Sequence, residues 1–201
     1  MKEKNMSELL FKAAAEGNCS LIRELLAQQG VNVNATDKGK RTPILVAAQN
    51  KQYDAIRLLA EYGADINAQD NKCFNPFIHG CIHNDLSLVK LMVELGCDLT
   101  RLTRFGGNGL TPAAEKGHED IVRFLLENTD INVNLTNNVG WTALIEAIIL
   151  NDGSEKMQRI VRLLLENDAD PKMTDEWGVS PLELALRKGY QEIAAIIEEY
   201  L

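Results

Sequence analysis

A glycine-rich segment, FGGNGLTPAAEKGH, lies near the middle of the 201-residue chain, at residues 105–118. Three glycines ahead of a predicted helix could let backbone N–H groups approach a phosphate or another anion, with Arg104 and Lys116 supplying positive charge. The segment matches neither G-x-G-x-x-G nor G-x-x-x-x-G-K-[ST], and no strand of a βαβ unit precedes it. A Walker-type nucleotide site is therefore excluded, whereas a small anionic ligand stays open as an alternative to a plain loop.

The segment CFNPFIHGCIHN contains residue types that bind metals, namely Cys73, His79, Cys81 and His83. His79 and His83 are four residues apart, so they would share one face of a helix. Cys81, however, is expected at a small buried position that points away from them, and Cys73 would have to bend in from a loop. The four cysteines form no CxxC pair, so we expect reduced thiols. We predict no metal site and no cofactor.

The best catalytic candidates are Glu115, His118 and Glu146, which could converge near Arg104 and Trp141. This group lacks a nucleophile or an electrophile, and a local hydrogen bond accounts for His118. We therefore predict no catalytic residues and no enzyme.

Composition excludes further classes of partner. A formal net charge of −8 and a pI near 5.0 oppose binding to nucleic-acid phosphates, which requires clustered Lys and Arg. The longest apolar stretch, ALIEAIILN, is interrupted by Glu146 and is too short to span a membrane. The N-terminal residues show no apolar core of an export signal. We expect a cytoplasmic protein that binds neither nucleic acid nor membrane.

The elements that carry these residues recur at a nearly constant spacing. Each copy has a pair of mostly small residues, then a short turn, then an apolar helix pattern such as AIRLLA or IVRFLL. The second member of the pair is, in successive copies, Ala14, Ala48, Cys81, Ala114, Ile148 and Leu186. Apolar residues in the following helix recur at i, i+1, i+3 and i+4, which predicts a broad buried stripe. Since one copy cannot bury its own apolar face, the copies must stack.

Local signals mark where these helices begin and end. An N-cap residue stands directly before a proline at three helix starts, at Thr42-Pro43, Asn75-Pro76 and Ser180-Pro181. Gly63 and Gly96 fit helix ends that require a positive φ. The first copy lacks the Thr-Pro start, and we predict that Ser7 caps its helix.

The segments RTPILVAAQNKQYDAIRLLAEYGADINAQD and GVSPLELALRKGYQEIAAII resemble the ankyrin-repeat family, and the resemblance extends over about residues 7–201. The segments RFGGNGLTPAAEKGH and NVGWTALIEAIILNDG further resemble small stand-alone bacterial ankyrin proteins of the YahD type. The resemblance implies an all-α fold, an ankyrin-repeat solenoid of six stacked helix-turn-helix repeats with short β-hairpin-like tips. It also implies a single domain over residues 1–201, with approximate repeats 5–36, 37–69, 70–102, 103–136, 137–174 and 175–201.

Two copies depart from the family pattern. In the fourth, Thr-Pro is displaced four residues toward the C-terminus, and we predict that Thr111 caps a late helix that begins at Pro112, which leaves FGGNGL as an opened, mobile loop. The alternative is a helix that starts as usual at Asn108, with Pro112 at its fourth position. In the fifth, NDGSEKMQR adds five residues, so its second helix should start early, with Ser154 as the N-cap.

The resemblance implies that a partner binds in the concave groove formed by the hairpin tips and the outward edges of the first helices. The predicted partner-binding residues are Arg41, Phe74, Arg104, Phe105, Glu115, Lys116, Trp141 and Trp177. These residues are chosen because Trp and Arg dominate binding hot spots. The alternative is that the aromatic rings lie flat on neighbouring hairpin tips and only join the repeats.

We therefore predict a non-catalytic interaction scaffold or adaptor, monomeric, that binds another protein or a peptide through this groove. The alternative function is a sensor of a small anionic ligand that uses the glycine-rich loop of the fourth repeat.

Overall fold

The computed structural model describes the backbone of residues 2–201 and the side chains from residue 5 onwards. Residues 2–201 form twelve α-helices in six consecutive pairs, and none of them lies in a β-strand. The first helices of the pairs are α1 (Lys2–Glu16), α3 (Pro43–Gln49), α5 (Pro76–Ile82), α7 (Leu110–Glu115), α9 (Ala143–Ile149) and α11 (Pro181–Lys188). The second helices are α2 (Cys19–Leu26), α4 (Tyr53–Glu61), α6 (Leu86–Glu94), α8 (Glu119–Asn128), α10 (Glu155–Glu166) and α12 (Gln191–Glu198). The predicted all-α fold of six helix pairs is confirmed.

The chain groups into two compact units. Unit 1 comprises Met1–Gly80 with Ser87–Asp98, and unit 2 comprises Cys81–Leu86 with Leu99–Leu201. The prediction of one domain stays a prediction.

In unit 1, helices of the same kind pack on each other. The first helix α1 packs on α3, and the second helix α2 packs on α4. Large apolar side chains fill the space between them because the stripe on each helix faces its neighbour. The fully buried side chains of unit 1 include Leu10, Ile22, Ile44, Leu45, Ile56 and Leu59 on α1 to α4, and Phe77, Ile78, Leu88 and Met92 on α5 and α6.

Unit 2 follows the same rule over three repeats. The first helices α7, α9 and α11 pack in series, and the second helices α8, α10 and α12 form a second series. Its buried core includes Leu110, Ile121, Leu125, Leu144, Ile145, Ile160, Leu164, Ile193 and Ile197. No single helix pair could bury these side chains, so the neighbouring pairs supply the cover.

The predicted helix caps are confirmed in α3, α5 and α11. The side chains of Thr42, Asn75 and Ser180 each accept the backbone N–H three residues later, at 3.4, 2.8 and 3.2 Å. Gly63 and Gly96 adopt the expected positive φ values, 82° and 75°. Local sequence therefore sets the ends of these helices.

Asparagines join the loops of successive repeats. Asn34 donates from Nδ2 to the carbonyl of Gly63 at 3.3 Å and accepts the N–H of Asp65 at 2.7 Å. Asn134 makes the same pair of bonds in unit 2, to the carbonyl of Asp168 and the N–H of Asp170, at 2.9 and 2.8 Å. Each amide thus satisfies one donor and one acceptor of the next loop.

The start of the fourth repeat differs from the preferred prediction. Helix α7 begins at Leu110, whose N–H is accepted by Asn108 Oδ1 at 3.1 Å, so Thr111 is not the cap. Asn108 is buried and also donates to the carbonyl of Asn132 at 2.8 Å. Pro112 is tolerated because it lies in the first helical turn, where backbone N–H groups have no acceptor within the helix. The helix therefore starts close to the usual place.

The first helix also departs from the prediction. Helix α1 begins at Lys2, so Ser7 lies inside it and does not cap it. Lys, Glu and Met are good helix formers, and they continue the helix toward the N-terminus.

The insertion in the fifth repeat lengthens its second helix, as predicted. Helix α10 has 12 residues and begins directly after Ser154, whose side chain makes no cap bond. The preceding loop is held on two sides, because Asn151 Nδ2 donates to the carbonyl of Glu115 at 2.9 Å and the Tyr190 hydroxyl donates to the carbonyl of Asn151. The Tyr190 ring packs against Gly153, where a Cβ atom would be 2.6 Å from Cδ1.

Candidate functional site

Five turns, here called tips, precede the first helices of repeats two to six. They are named by repeat number and comprise residues 37–41, 70–74, 103–107, 137–141 and 175–179. In each tip the first residue donates its N–H to the carbonyl of the fifth, and the fourth donates to the carbonyl of the first, at 2.8–3.1 Å. The fourth residue always has a positive φ, between 60° and 87°. All five tips therefore share one hairpin-like backbone.

In four of the five tips, a side chain closes the turn from inside. The first residue is Asp37, Asp70, Asn137 or Asp175, and its Oδ1 accepts the N–H groups of the third and fifth residues at 2.8–3.0 Å. The fourth tip has Thr103 at this position. Within residues 5–201, Thr103 accepts neither N–H. The substitution is visible when the repeats are aligned, but Thr103 was not among the residues predicted from the sequence.

The glycines of the fourth tip serve packing, which corrects the prediction of an opened, mobile loop. A Cβ atom on Gly106 would be 2.3 Å from Asn138 Oδ1, and one on Gly107 would be 2.8 Å from Thr111 Oγ1. Gly107 and Thr111 are both buried. The tip is thus a closed turn pressed against the fifth tip and against α7.

Neighbouring tips are joined through their backbones. In unit 1, the N–H of Asn71 in the third tip donates to the carbonyl of Gly39 in the second at 2.9 Å. In unit 2, the N–H of Asn138 in the fifth tip donates to the carbonyl of Phe105 in the fourth, also at 2.9 Å. A residue exposed on one of these tips therefore lies beside the next tip of the same unit.

Unit 2 exposes two aromatic rings on its tips. Phe105 is 61% exposed and Trp177 is 66% exposed. The guanidinium of Arg104 lies over the Phe105 ring, 4.5 Å from its centroid. Trp141, on the tip between them, is half-buried, and its buried Nε1 has no hydrogen-bond partner within residues 5–201. The two outer rings are therefore mostly exposed, whereas the middle ring is partly packed.

In unit 1, the two predicted site residues are held by neighbours. Arg41 pairs with Asp37 through Nε at 2.7 Å and also contacts Gln49 at 3.3 Å. Phe74 is half-buried, with its ring edge-on to His79 at a centroid distance of 6.3 Å.

Glu146 is a buried carboxyl group next to the fifth tip in unit 2. It lies on α9, is 7% exposed, and accepts a hydrogen bond from Asn137 Nδ2 at 2.7 Å. Burial raises the pKa of Glu146 to about 7; the Asn137 bond partly opposes this, and the charge of Glu115 adds to it. Glu115 and Lys116 lie at the end of α7, with their charged groups 3.8 Å apart. Sequence reasoning named Glu146 but could not show its burial.

Two of the three candidate catalytic residues, His118 and Glu146, are hydrogen bonded to other residues. His118 Nδ1 is hydrogen bonded to the carbonyl of Cys81 at 2.9 Å, so it joins two repeats instead of making a local bond. Glu146 is engaged by Asn137. Cys81 is buried, and no group of three or more His, Cys, Asp or Glu among residues 5–201 is placed to hold a metal ion. No helix among residues 2–201 is long and apolar enough to cross a membrane.

Comparison with known proteins identifies the family. A family model described as ankyrin repeats matches residues 1–70, 77–175 and 132–200. The chain belongs to the ankyrin-repeat family. It is 48% identical over 197 residues to the ankyrin repeat protein YahD of Escherichia coli K12, covering 98% of both chains.

Solved structures agree with this assignment. An ankyrin repeat domain from Acinetobacter baumannii is 39% identical, has a TM-score of 0.89, and matches over 95% of this chain and 96% of its own. A chain in the complex of a predatory endopeptidase from Bdellovibrio bacteriovorus with an immunity protein has a TM-score of 0.80. It is 18% identical, covers 97% of this chain and 99% of its own, and shows the fold alone. The predicted ankyrin-repeat solenoid fold is confirmed. Ankyrin repeats generally mediate protein–protein interaction, and such proteins are typically non-catalytic scaffolds.

Proposed function

We propose that this protein is a non-catalytic, cytoplasmic adaptor that binds a protein or peptide through its tips and the adjacent edges of its first helices. The observation that carries the proposal is the exposure of Phe105 and Trp177, at 61% and 66%, on the fourth and sixth tips. In a chain with only 5% aromatic residues, two large rings left in water on one kind of turn favour a binding role.

The energetics of recognition support this choice of anchors. Aromatic side chains bury a large area with few rotatable bonds, and truncating one at a hot spot often costs ~2 kcal/mol or more of binding free energy. Phe105 and Trp177 would supply this area. Trp141, half-buried on the tip between them, offers a smaller surface.

Charge supports an acidic feature on the partner. Arg104 is exposed and forms no ion pair with a carboxylate among residues 5–201, whereas Arg41 is paired with Asp37. Lys116, although close to Glu115, is also exposed. In a protein with a net charge of −8, these basic groups select by local contact instead of long-range attraction.

The fold is compatible with such a role. A chain of the same fold is present in the Bdellovibrio complex of an endopeptidase with an immunity protein. Its low identity transfers no partner to this chain.

The experiment combines photo-crosslinking with loss of the anchors. A photoreactive amino acid at Val139, exposed on the fifth tip, should crosslink a partner in the native cell. Adding Phe105→Ala and Trp177→Ala should abolish that product. The matched control is Tyr62→Ala, since Tyr62 is 43% exposed but is the C-cap residue of α4 and belongs to no tip. Equal crosslinking by the double variant and the control would overturn the proposal.

A further inference from the structure

The fourth tip has two backbone donors that lack the acceptor present in every other tip. The third and fifth residues of that tip are Phe105 and Gly107, and neither N–H has an acceptor among residues 5–201. At the equivalent positions of the other four tips, both N–H groups converge on one Oδ1 atom. Gly107 is also buried, which makes its unpaired N–H costly.

The backbone of the fourth tip is the same as that of its neighbours. It keeps both closing bonds, from Thr103 N–H to the carbonyl of Gly107 at 2.8 Å and from Gly106 N–H to the carbonyl of Thr103 at 2.9 Å. Gly106 has the left-handed φ, 87°, of the other fourth residues. The Thr103 hydroxyl oxygen is one bond nearer the backbone than an aspartate Oδ1, and it accepts neither of these two N–H groups.

The surroundings of this point select an oxyanion. Both nearby backbone groups are donors, and two N–H groups aimed at one oxygen form the kind of nest that binds anions. Arg104, the residue between Thr103 and Phe105, is exposed and adds a positive charge. In three of the other tips the oxygen at this point belongs to a carboxylate, so the geometry suits a carboxylate.

We propose that the fourth tip binds a carboxylate supplied from outside, an Asp or Glu side chain of the partner, with one oxygen accepting the N–H groups of Phe105 and Gly107 and with Arg104 alongside. This inference rests on the proposed adaptor function. The partner group would complete in trans the turn that Asp37 completes within its own tip. A free small carboxylate has the same chemistry, and it corresponds to the alternative sensor function.

The direct test uses acetate and the ¹⁵N-labelled full chain. Sodium acetate, compared with sodium chloride at equal ionic strength, should move the amide resonances of Phe105 and Gly107 in a saturable way. Thr103→Asn should weaken this binding by about tenfold or more, because the new side chain would accept both N–H groups as Asn137 does in the fifth tip. Asparagine adds no charge, so repulsion cannot explain such a loss. Thr103→Val, which keeps the size but has no acceptor, should bind like the wild type.

The carboxylate site is wrong if acetate causes no saturable change in the amide resonances of Phe105 and Gly107. It is also wrong if wild type and Thr103→Asn bind acetate equally well.

The source of the carboxylate is decided by the Val139 crosslinking experiment. Loss of the crosslinked product in Thr103→Asn but not in Thr103→Val supports an acidic side chain of the partner. Retention of the product in Thr103→Asn, with acetate binding lost, overturns the partner assignment and leaves a free carboxylate. If Phe105→Ala with Trp177→Ala also keeps the product, the adaptor proposal itself fails.

Discussion

The fourth and fifth repeats have the same tip backbone but differ in how polar side chains support it. In the fifth, Asn137 accepts two tip N–H groups through Oδ1 and donates through Nδ2 to the buried Glu146. In the fourth, Thr103 and Pro112 occupy the corresponding positions and make neither link. The difference teaches that two backbone bonds and one left-handed residue are enough to form the turn. The side-chain acceptor is an addition that one repeat can leave to another molecule.

The largest expected effect is a pH dependence of the free energy of unfolding that comes from Glu146 in the fifth repeat. Because the pKa of Glu146 is raised from 4.5 to about 7 on folding, its contribution to stability is full below about pH 4.5 and is lost as the pH rises through 7. The free energy of unfolding of Glu146→Gln relative to wild type should therefore rise by on the order of 3 kcal/mol between pH 4.5 and pH 8.5. Urea titrations at several pH values measure this.

Glu183→Gln is the control for that titration, since Glu183 is exposed on α11 and pairs with Arg187. Its difference from wild type should change little over the same range. A flat difference for Glu146→Gln would show that Glu146 is not a buried titrating group.

The second effect comes from making the fifth repeat resemble the fourth. Asn137→Thr removes the acceptor of the Val139 and Trp141 N–H groups and the donor to Glu146. We expect a loss of about 2 kcal/mol in the free energy of unfolding at pH 7. Asn138→Thr is the matched control in the same tip, because the Asn138 bond to Phe105 comes from its backbone. Equal losses in the two variants would contradict the role of Asn137.

The third effect is the reverse exchange. Thr103→Asn should stabilise the fourth repeat by about 1 kcal/mol, since it supplies an acceptor to the N–H groups of Phe105 and Gly107. Thermal and urea unfolding beside Thr103→Val measure the gain. A destabilised Thr103→Asn would show that the fourth tip cannot admit the side chain that the fifth tip holds.

The smallest effect on stability is expected at the exposed anchors. Phe105→Ala and Trp177→Ala should each change the free energy of unfolding by less than about 0.5 kcal/mol, because both rings are mostly in water. Trp141→Ala should cost more, since this ring is half-buried. If Trp177→Ala is as destabilising as Trp141→Ala, the sixth tip needs its ring for folding, and exposure ceases to argue for binding.

The sequence was sufficient to predict the fold because the repeat spacing and the caps depend on local chemistry. Thr42 and Ser180 cap the helices that their Thr-Pro and Ser-Pro pairs predict. The same rule failed at Thr111, because the helix begins earlier, at Leu110, whose N–H is accepted by Asn108. Asn108 is itself held by a hydrogen bond to the carbonyl of Asn132, 24 residues away. A contact at that distance in sequence is not visible in a dipeptide signal.

The sequence predicted which residue types lie at the candidate site, but it did not predict how exposed or buried each of them is. Rings on the tips follow from the family pattern, yet sequence does not tell an exposed Trp177 from a half-buried Trp141. The raised pKa of Glu146 likewise depends on its burial beside Asn137 and Glu115. The signal at Thr103 was present in the aligned copies, but its meaning depends on two N–H groups that only the folded turn brings together.

The loop inserted in the fifth repeat has a mechanical consequence. Asn151 is bonded on one side to Glu115 of the fourth repeat and on the other to Tyr190 of the sixth. These two hydrogen bonds join three successive repeats and oppose movement of one repeat past the next. Under tension applied with optical tweezers, we expect these last three repeats to give way in a single step, and Asn151→Gly to divide that rupture into smaller ones.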